Sequence, residues 1–311
     1  MFTKSFAAPK GWLAFELNVL RRLKFSTAIL PFTSEPNLGV YLKRWNVRVL
    51  ANDLTQAGFV KAVGAIQNNA EKLSEKDVET ILEDAYVPRY RLQNESLKNW
   101  FNETDAWWFD NVRANVEKLP SLVLQAVALN IGTRVGDYVL SFTEDTRELR
   151  QPLSNVYKRL WRAQPEPVNN GQNNTCQNKT AKDFIAENVG ADLMFLRLPP
   201  SHNSSQRNRL GQAAWREEWI HGDDKFWKDL EQAQAGKLGA LVETKSQYLR
   251  LLEAILQTAS NVPTWAIAHV EDGSIPTQEI VEIIGRIRRI DTIFTKDFSE
   301  LTGAKAVIIT A

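Results

Sequence analysis

Apolar positions follow two periods along this chain, and the switches between them lay out its elements. The run Ala28-Ile29-Leu30 ends at Pro31-Phe32, and a second run, Val47 to Ala51, closes on Asn52-Asp53. Between them a helical stretch carries Leu42 and Trp45, so the segment predicts strand, helix and strand. Ahead of it Leu13, Leu17, Leu20 and Leu23 recur on neighbouring turns and predict a helix within residues 1–24. After Asp53 helical spacing takes over. Ser74 and Asp77 form a capping pair before Val78, Ile81, Leu82 and Ala85. Trp108, Val112, Val116 and Leu119 stop before Pro120, and Val123, Val127, Ile131, Val135 and Val139 stripe a long helix. Strand character returns in Asp192 to Leu198, in Trp265 to Val270, and around 290–295 and 305–310, with helices from Tyr248 and from Thr277 between them.

This order predicts an α/β chain with a Rossmann-like sheet. Residues 1–59 and 164–311 make the α/β domain, and 60–163 form a helical insertion between two of its strands. Residues 164–182 are rich in Asn, Gln and Pro and read as an exposed loop. In 202–247 a polar loop opens with His202 and Asn203, and Trp215, Trp219 and Trp227 mark helical segments with buried aromatic anchors.

Composition narrows the picture by exclusion. A chain of 311 residues with 43% hydrophobic content can bury a large core. Its formal charge of +1 exerts no global pull on nucleic acid or membranes, so DNA binding has to come from local patches. Such patches are Arg21-Arg22-Leu23-Lys24, Lys43-Arg44, Arg89-Tyr90-Arg91, Lys158 to Arg162 and Arg286 to Arg289, and their convergence in space is what would give them meaning. The single cysteine, Cys176, excludes an internal disulfide and a cysteine-rich zinc site. His221 with Asp223 and Asp224 lacks a spaced second histidine and reads as a charged loop. No apolar run reaches the ~20 residues of a membrane span, and the sequence reads as cytoplasmic.

The acid Asp53, about 20 residues after the first strand, stands where nucleotide folds hold a ribose. The connection before it lacks the glycine pair that allows close backbone approach. This stretch resembles the adenine-specific DNA methyltransferases that carry an Asp-Pro-Pro-Tyr box, whose first motif is Asp-Pro-Phe-Ser-Gly-x-Gly-x-Val. Pro31, Phe32, Tyr41, Leu42, Lys43, Ala51, Asn52 and Asp53 match without a gap, while Leu30, Ser34 and Pro36 replace the acid and the glycines. The resemblance implies an S-adenosylmethionine-dependent methyltransferase fold with an inserted target-recognition lobe. It places Pro31, Phe32 and Asp53 at the remnant of the methyl-donor site. A lysine signature of the family maps to Ala7-Ala8-Pro9-Lys10, an upstream cofactor acid to Thr180-Ala181, and a lobe pattern to Trp108 to Asn115.

The catalytic box maps to Arg197-Leu198-Pro199-Pro200-Ser201. Aligned on the prolines, Leu198 replaces the catalytic acid and Ser201 the stacking tyrosine; aligned on the strand, Arg197 takes the acid's place. Adenine's amino nitrogen is a poor nucleophile, and the family's acid and an adjacent carbonyl accept its two hydrogens while the aromatic ring stacks on the flipped base. Leucine accepts no hydrogen bond and arginine only donates. The expectation is therefore a degenerate relative without catalytic residues and without a bound methyl donor. It would be retained for nucleic-acid or protein binding, beside a partner methyltransferase or the nuclease of a restriction-modification system. The alternative is an active adenine methyltransferase with a rebuilt site, in which Asp53 holds the ribose of S-adenosylmethionine and Ser201, His202 or Asn203 contact substrate. A third reading is an interaction module whose old cleft is filled by side chains.

Overall fold

A computed structural model describes residues 11–271, 274–302 and 304–311. Helix α1 (Trp12–Leu20) leads to strand β1 (Thr27–Leu30), helix α2 (Asn37–Arg44) and strand β2 (Arg48–Asn52), the expected βαβ unit. A helical segment follows: α3 (Gln56–Ala62), α4 (Glu75–Leu82), α5 (Glu103–Val116), α6 (Leu122–Leu140) and α7 (Leu153–Arg162). The chain re-enters the sheet as β3 (Thr175–Gln177), then makes α8 (Ala181–Glu187) and β4 (Leu193–Arg197). Helices α9 (Gln206–Leu210), α10 (Ala214–His221), α11 (Phe226–Gln234) and α12 (Lys245–Thr258) come next. Strand β5 (Thr264–Glu271), helix α13 (Thr277–Ile287) and strands β6 (Thr292–Asp297) and β7 (Lys305–Thr310) complete the sheet. Lys10 and the stretch from Ala7 lie outside the described residues.

The seven strands stand in the order β3-β2-β1-β4-β5-β7-β6. Strands β3, β2, β1, β4 and β5 are mutually parallel, and β7 runs antiparallel between β5 and β6. This is a mostly parallel α/β sheet compatible with a Rossmann-like fold. The chain steps outward from β1 to β2 and β3, then returns to place β4 on the other side of β1. That reversal opens a crevice between the carboxyl ends of β1 and β4, where open α/β sheets take their ligands.

Strand alternation divides the core in two. Ile29, Leu50, Met194, Leu196, Trp265 and Ile267 point into one layer with residues of α8, α12 and α13. Ala28, Leu30, Val49, Ala51, Leu193 and Phe195 point into the other with α1 and α2. Burial on both faces explains why these strands read as unbroken apolar runs. Gly39 of α2 matters to the second layer, because a β-carbon there would lie 2.4 Å from Ile66.

A third core fills the helical segment and also takes in Trp215, Trp219 and Ile220 of α10. On α6, Gly132 and Gly136 form two notches one turn apart. A β-carbon on either would lie 2.1 Å from the ring of Trp219 or Trp215, respectively. The expected capping box at Ser74 and Asp77 is present. In the stretch Trp108 to Asn115, the polar residues work inward. Asp110 accepts from the amides of Gln93 and Asn94, and Asn111 and Asn115 donate to carbonyls at the end of α4 and just beyond it.

The stretch 164–182 departs from the loop expected. It supplies edge strand β3, and its amides act as ladder partners for β2. Asn174 is buried and its Oδ1 accepts from Val49 N at 2.9 Å, while Asn178 Nδ2 donates to the carbonyls of Asp53 and Leu54 at 2.7 and 2.8 Å. A polar composition here reflects hydrogen-bond demand at a sheet edge.

The crevice at the carboxyl ends of the strands as candidate functional site

Strand order brings the two sequence motifs to one place. Pro31 and Phe32 follow β1 directly, and Leu198 to Ser201 follow the neighbouring β4. Pro31 is buried, and its carbonyl accepts from Asn52 Nδ2 at 3.1 Å. Thr33 turns inward as well, its amide donating to Asn52 O and its hydroxyl to Leu30 O, both at 3.0 Å. Phe32 is half-buried against the first core layer.

Asp53 follows β2 directly, and one oxygen of its carboxylate is held by its own chain. Oδ1 accepts from the amide and the hydroxyl of Thr55 at 2.9 and 2.6 Å. Gly58 lies so close that a β-carbon there would sit 2.4 Å from the carboxyl carbon. Burial pushes the Asp53 pKa up, against the Thr55 hydrogen bonds and the charges of Arg209 and Lys61. The remaining amides at the start of α3 are also occupied. Gly58 N donates to Thr55 Oγ1, and Gln56 N and Ala57 N each donate to the Glu217 carboxylate at 2.8 Å. Burial raises the Glu217 pKa to about 7 in spite of these donors.

At the end of β4, Arg197 forms a two-toothed ion pair with the fully buried Glu16 of α1, at 2.8 Å to each oxygen. Burial pushes Glu16 up, and Arg197 opposes that shift. Leu198 is buried in the first core layer, and its amide extends the ladder to Ala268 O at 2.9 Å. The carbonyl of Pro199 accepts from Tyr248 Oη at 2.8 Å. Pro200 is exposed and Ser201 half-buried.

A later segment of the chain packs against both motifs. Leu238, Ala240 and Val242, between α11 and α12, are all buried, and Leu238 and Val242 join the core that holds Leu198. Gly239 adopts the left-handed region, with φ 94°. A β-carbon on it would lie 2.8 Å from Gln234 Nε2, 3.5 Å from the Phe32 ring and 3.8 Å from Pro199, so its backbone lies close against both motifs. Its carbonyl accepts from Gln206 Nε2 at 3.1 Å and faces His202 Nε2 at 3.2 Å. The amide of Val242 donates to His202 O at 2.8 Å. Lys237 reaches Asp183 Oδ2 and Thr180 Oγ1 at 3.2 and 3.3 Å, the position where the resemblance puts contacts to an adenine ring.

His202 lies at this closure with its Nδ1 on Ser204 O at 2.9 Å, so each ring nitrogen faces a carbonyl. Burial holds its pKa below the usual value, Arg209 adds to that, and the two carbonyls oppose it. Asn203 is exposed. His269 is buried with Nε2 on Ile275 O at 3.0 Å. Burial pushes the Cys176 thiol up to about 12, which keeps it protonated at neutral pH. His221 stacks on Phe226 at 3.7 Å. Among the described residues no three His, Cys, Asp or Glu side chains are placed to hold a metal, and no helix is long and apolar enough to cross a membrane.

Sequence reasoning singles out Pro31, Phe32, Arg197, Leu198, Pro199, Pro200 and Ser201, and these do meet at one crevice; Asp53 joins them at the end of the adjacent β2. It misses Leu238, Gly239, Tyr248 and Glu217. In the sequence Tyr248 shows only as part of a helical stripe, and Gly236-Lys237-Leu238-Gly239 carries the signal of a turn, not of a plug. The local pair Asp53-x-Thr55 does carry a readable signal, since such pairs bond within their own turn. No known family model matches the chain, and no curated protein matches it.

Proposed function

We propose that this chain is a methyltransferase-like protein that has given up methyl transfer and serves as a binding module for nucleic acid or a partner protein. One observation carries the reading: the chain's own Leu238 to Val242 pack against the two motifs that flank the crevice, with Gly239 close to both Phe32 and Pro199. Three others support it. Leu198 offers no acceptor for an amino group and lies in the core. The Pro199 carbonyl already accepts from Tyr248. Oδ1 of Asp53, at the position the resemblance gives to the ribose, already accepts two hydrogen bonds from Thr55. The ancestry rests on the ordered match at Pro31-Phe32 and Ala51-Asn52-Asp53. The mostly parallel sheet is compatible with the Rossmann-like fold that this ancestry calls for.

The competing reading, an active adenine methyltransferase, would require Leu238 to Val242 to leave the core before a methyl donor could enter. Calorimetric titration with S-adenosylmethionine and S-adenosylhomocysteine separates the two. The proposal expects no heat and no rise in melting temperature at millimolar ligand, since only a ligand that binds the folded state shifts it. Micromolar binding would return the enzyme to first place.

A further inference from the structure

At the amino ends of β1 and β2, the opposite end of the strands from the crevice, two connecting stretches lie side by side. One joins α1 to β1 and carries Arg21, Arg22 and Lys24; the other joins α2 to β2 and carries Arg44 and Arg48. Thr27 pairs with Arg48, and Arg48 N donates to Ser26 O at 2.8 Å, which sets the two stretches against each other. Arg21 bridges them, its guanidinium carbon 5.4 Å from the centre of the Trp45 ring. Arg44 lies over Tyr41 at 5.0 Å, and Arg22 over Phe294 of β6 at 5.2 Å. Two of the basic stretches noted in the sequence, Arg21 to Lys24 and Lys43-Arg44, thus meet on one face. Lys43 itself is buried and donates to Asn68 O at 2.6 Å, so Arg44 is that stretch's contribution. Arg21, Arg22, Lys24 and Arg44 are exposed, and among the described residues no ion pair or side-chain hydrogen bond engages them.

The acids nearby do not cancel this charge. From Leu17 to Asn52 the chain has a single acid, Glu35, and Lys61 pairs with it at 2.7 Å. On neighbouring elements Glu166 is paired with Lys72 and Glu187 with Lys179, and Asp291 acts electrostatically on Arg288. That leaves Glu71, which accepts from Ser121, and Asp192, whose Oδ2 accepts from Ser26 N and Thr27 N at 2.8 and 2.9 Å. Arg21, Arg22, Lys24, Arg44 and Arg48 outnumber them. Held over a ring and paired with no acid, a guanidinium keeps its N–H donors for an incoming anion. A guanidinium already lies over Trp45 and over Tyr41, which sets these rings to hold cations and not to stack on bases. An acidic protein partner would need an apolar anchor at the centre of its contact; here Leu23 and Phe25 are half-buried against the second core layer. A phosphate backbone needs only the donors.

Deepening the binding-module reading above, and resting on it, we propose that this face binds the phosphate backbone of double-stranded nucleic acid through Arg21, Lys24 and Arg44, without reading its sequence. Fluorescence anisotropy with short labelled DNA duplexes of two unrelated sequences tests it. Both should bind alike at low salt and lose affinity steeply as salt rises. Arg21→Gln combined with Arg44→Gln should flatten the log–log salt dependence by about 1.8, roughly 0.9 for each duplex phosphate that is no longer neutralised. Lys24→Gln, at a side chain that lies over no ring, should flatten it by about 0.9 and melt with the parent. Arg134→Gln combined with Arg162→Gln takes the same charge from exposed positions on α6 and the end of α7, and should leave the slope unchanged. An unchanged slope in the Arg21 and Arg44 pair and in Lys24→Gln would overturn the proposal and leave these cations only to offset the dipoles of the helices they follow. Equal flattening by the Arg134 and Arg162 pair would overturn it too. So would absence of binding at low salt, or equal competition by polyglutamate or anionic vesicles of matched charge. None of these failures touches the methyl-donor titration, which tests the closed crevice separately.

Discussion

Leu198→Asp puts back the carboxylate that the resemblance assigns to catalysis, and the structure says what that change does. Leu198 is 8% exposed and shares a core with Leu238, Val242 and Tyr248. Removing the leucine side chain forfeits about 1.5–3 kcal/mol of burial. A carboxyl group left there without a partner adds roughly 1–3 kcal/mol. The variant should therefore lose about 2.5–6 kcal/mol, a large share of the stability of an ordinary domain. The loss should also depend on pH. Burial raises the folded-state pKa of the new acid above its unfolded value, so the folded state binds the extra proton and destabilisation grows as pH rises from about 5 to 7. Urea unfolding at both pH values reads the magnitude and its sign, and transfer of a labelled methyl group to adenine-containing DNA reads activity. A variant within about 1 kcal/mol of the parent would refute the burial argument, and methyl transfer by it would refute the loss of the cofactor site.

Gly136→Ala tests the docking of α10 on α6: helix propensity alone would stabilise by about 1 kcal/mol, but a β-carbon 2.1 Å from Trp215 should instead cost about 1–3 kcal/mol. A raised melting temperature would contradict the notch. Glu16→Ala should cost about 3 kcal/mol, the lower end for a buried pair because Arg197 keeps some solvent contact; adding Arg197→Leu should recover part of that loss, and a double-mutant cycle with no coupling would show that Arg197 is not a structural anchor. Glu217 titrates near pH 7 when folded, against 4.5 unperturbed. Its folded state holds a proton that the unfolded chain releases, so its contribution makes stability fall as pH rises from about 4.5 to about 7, by at most about 3 kcal/mol. Glu217→Gln should remove that slope in urea unfolding across this range, and an unchanged slope would assign it to other groups.

The parts of the fold legible in sequence are those whose cause is local. Apolar runs buried on both sheet faces mark β1, β2, β4 and β5, and Ser74 with Asp77 announces α4 through a cap that spans three residues. In residues 202–247 the helices with buried Trp215, Trp219 and Trp227 are legible, but what those rings pack against is not, because the reasons lie far away in the chain. Trp215 and Trp219 pack where they do because Gly132 and Gly136 leave room on α6, and nothing in the periodicity of either helix records that fit. Gly239 likewise takes a left-handed turn whose role appears only when Phe32 and Pro199 close around it. At the site, the resemblance points to Leu30, Ser34, Pro36 and Leu198 as the positions where the family has its acids and glycines. They carry no information on what packs against Phe32 and Pro199, since that depends on a segment some 40 residues past them. The Asn-rich stretch misleads for a related reason: hydrogen-bonding side chains read as solvent-facing, although a sheet edge can absorb them.

The central claim is that Leu238 to Val242 closes the crevice as a stable part of the fold. Hydrogen–deuterium exchange tests it most directly, because protection reports the free energy of local opening. The amides of Ala240 and Val242, bonded to Lys237 O at 3.0 Å and His202 O at 2.8 Å, should exchange slowly, with the surrounding core. Millimolar S-adenosylmethionine should leave their rates unchanged. Fast exchange across 238–242, or rates that shift when the methyl donor is added, would mean that the crevice opens and takes a ligand, and the account would be wrong at its centre.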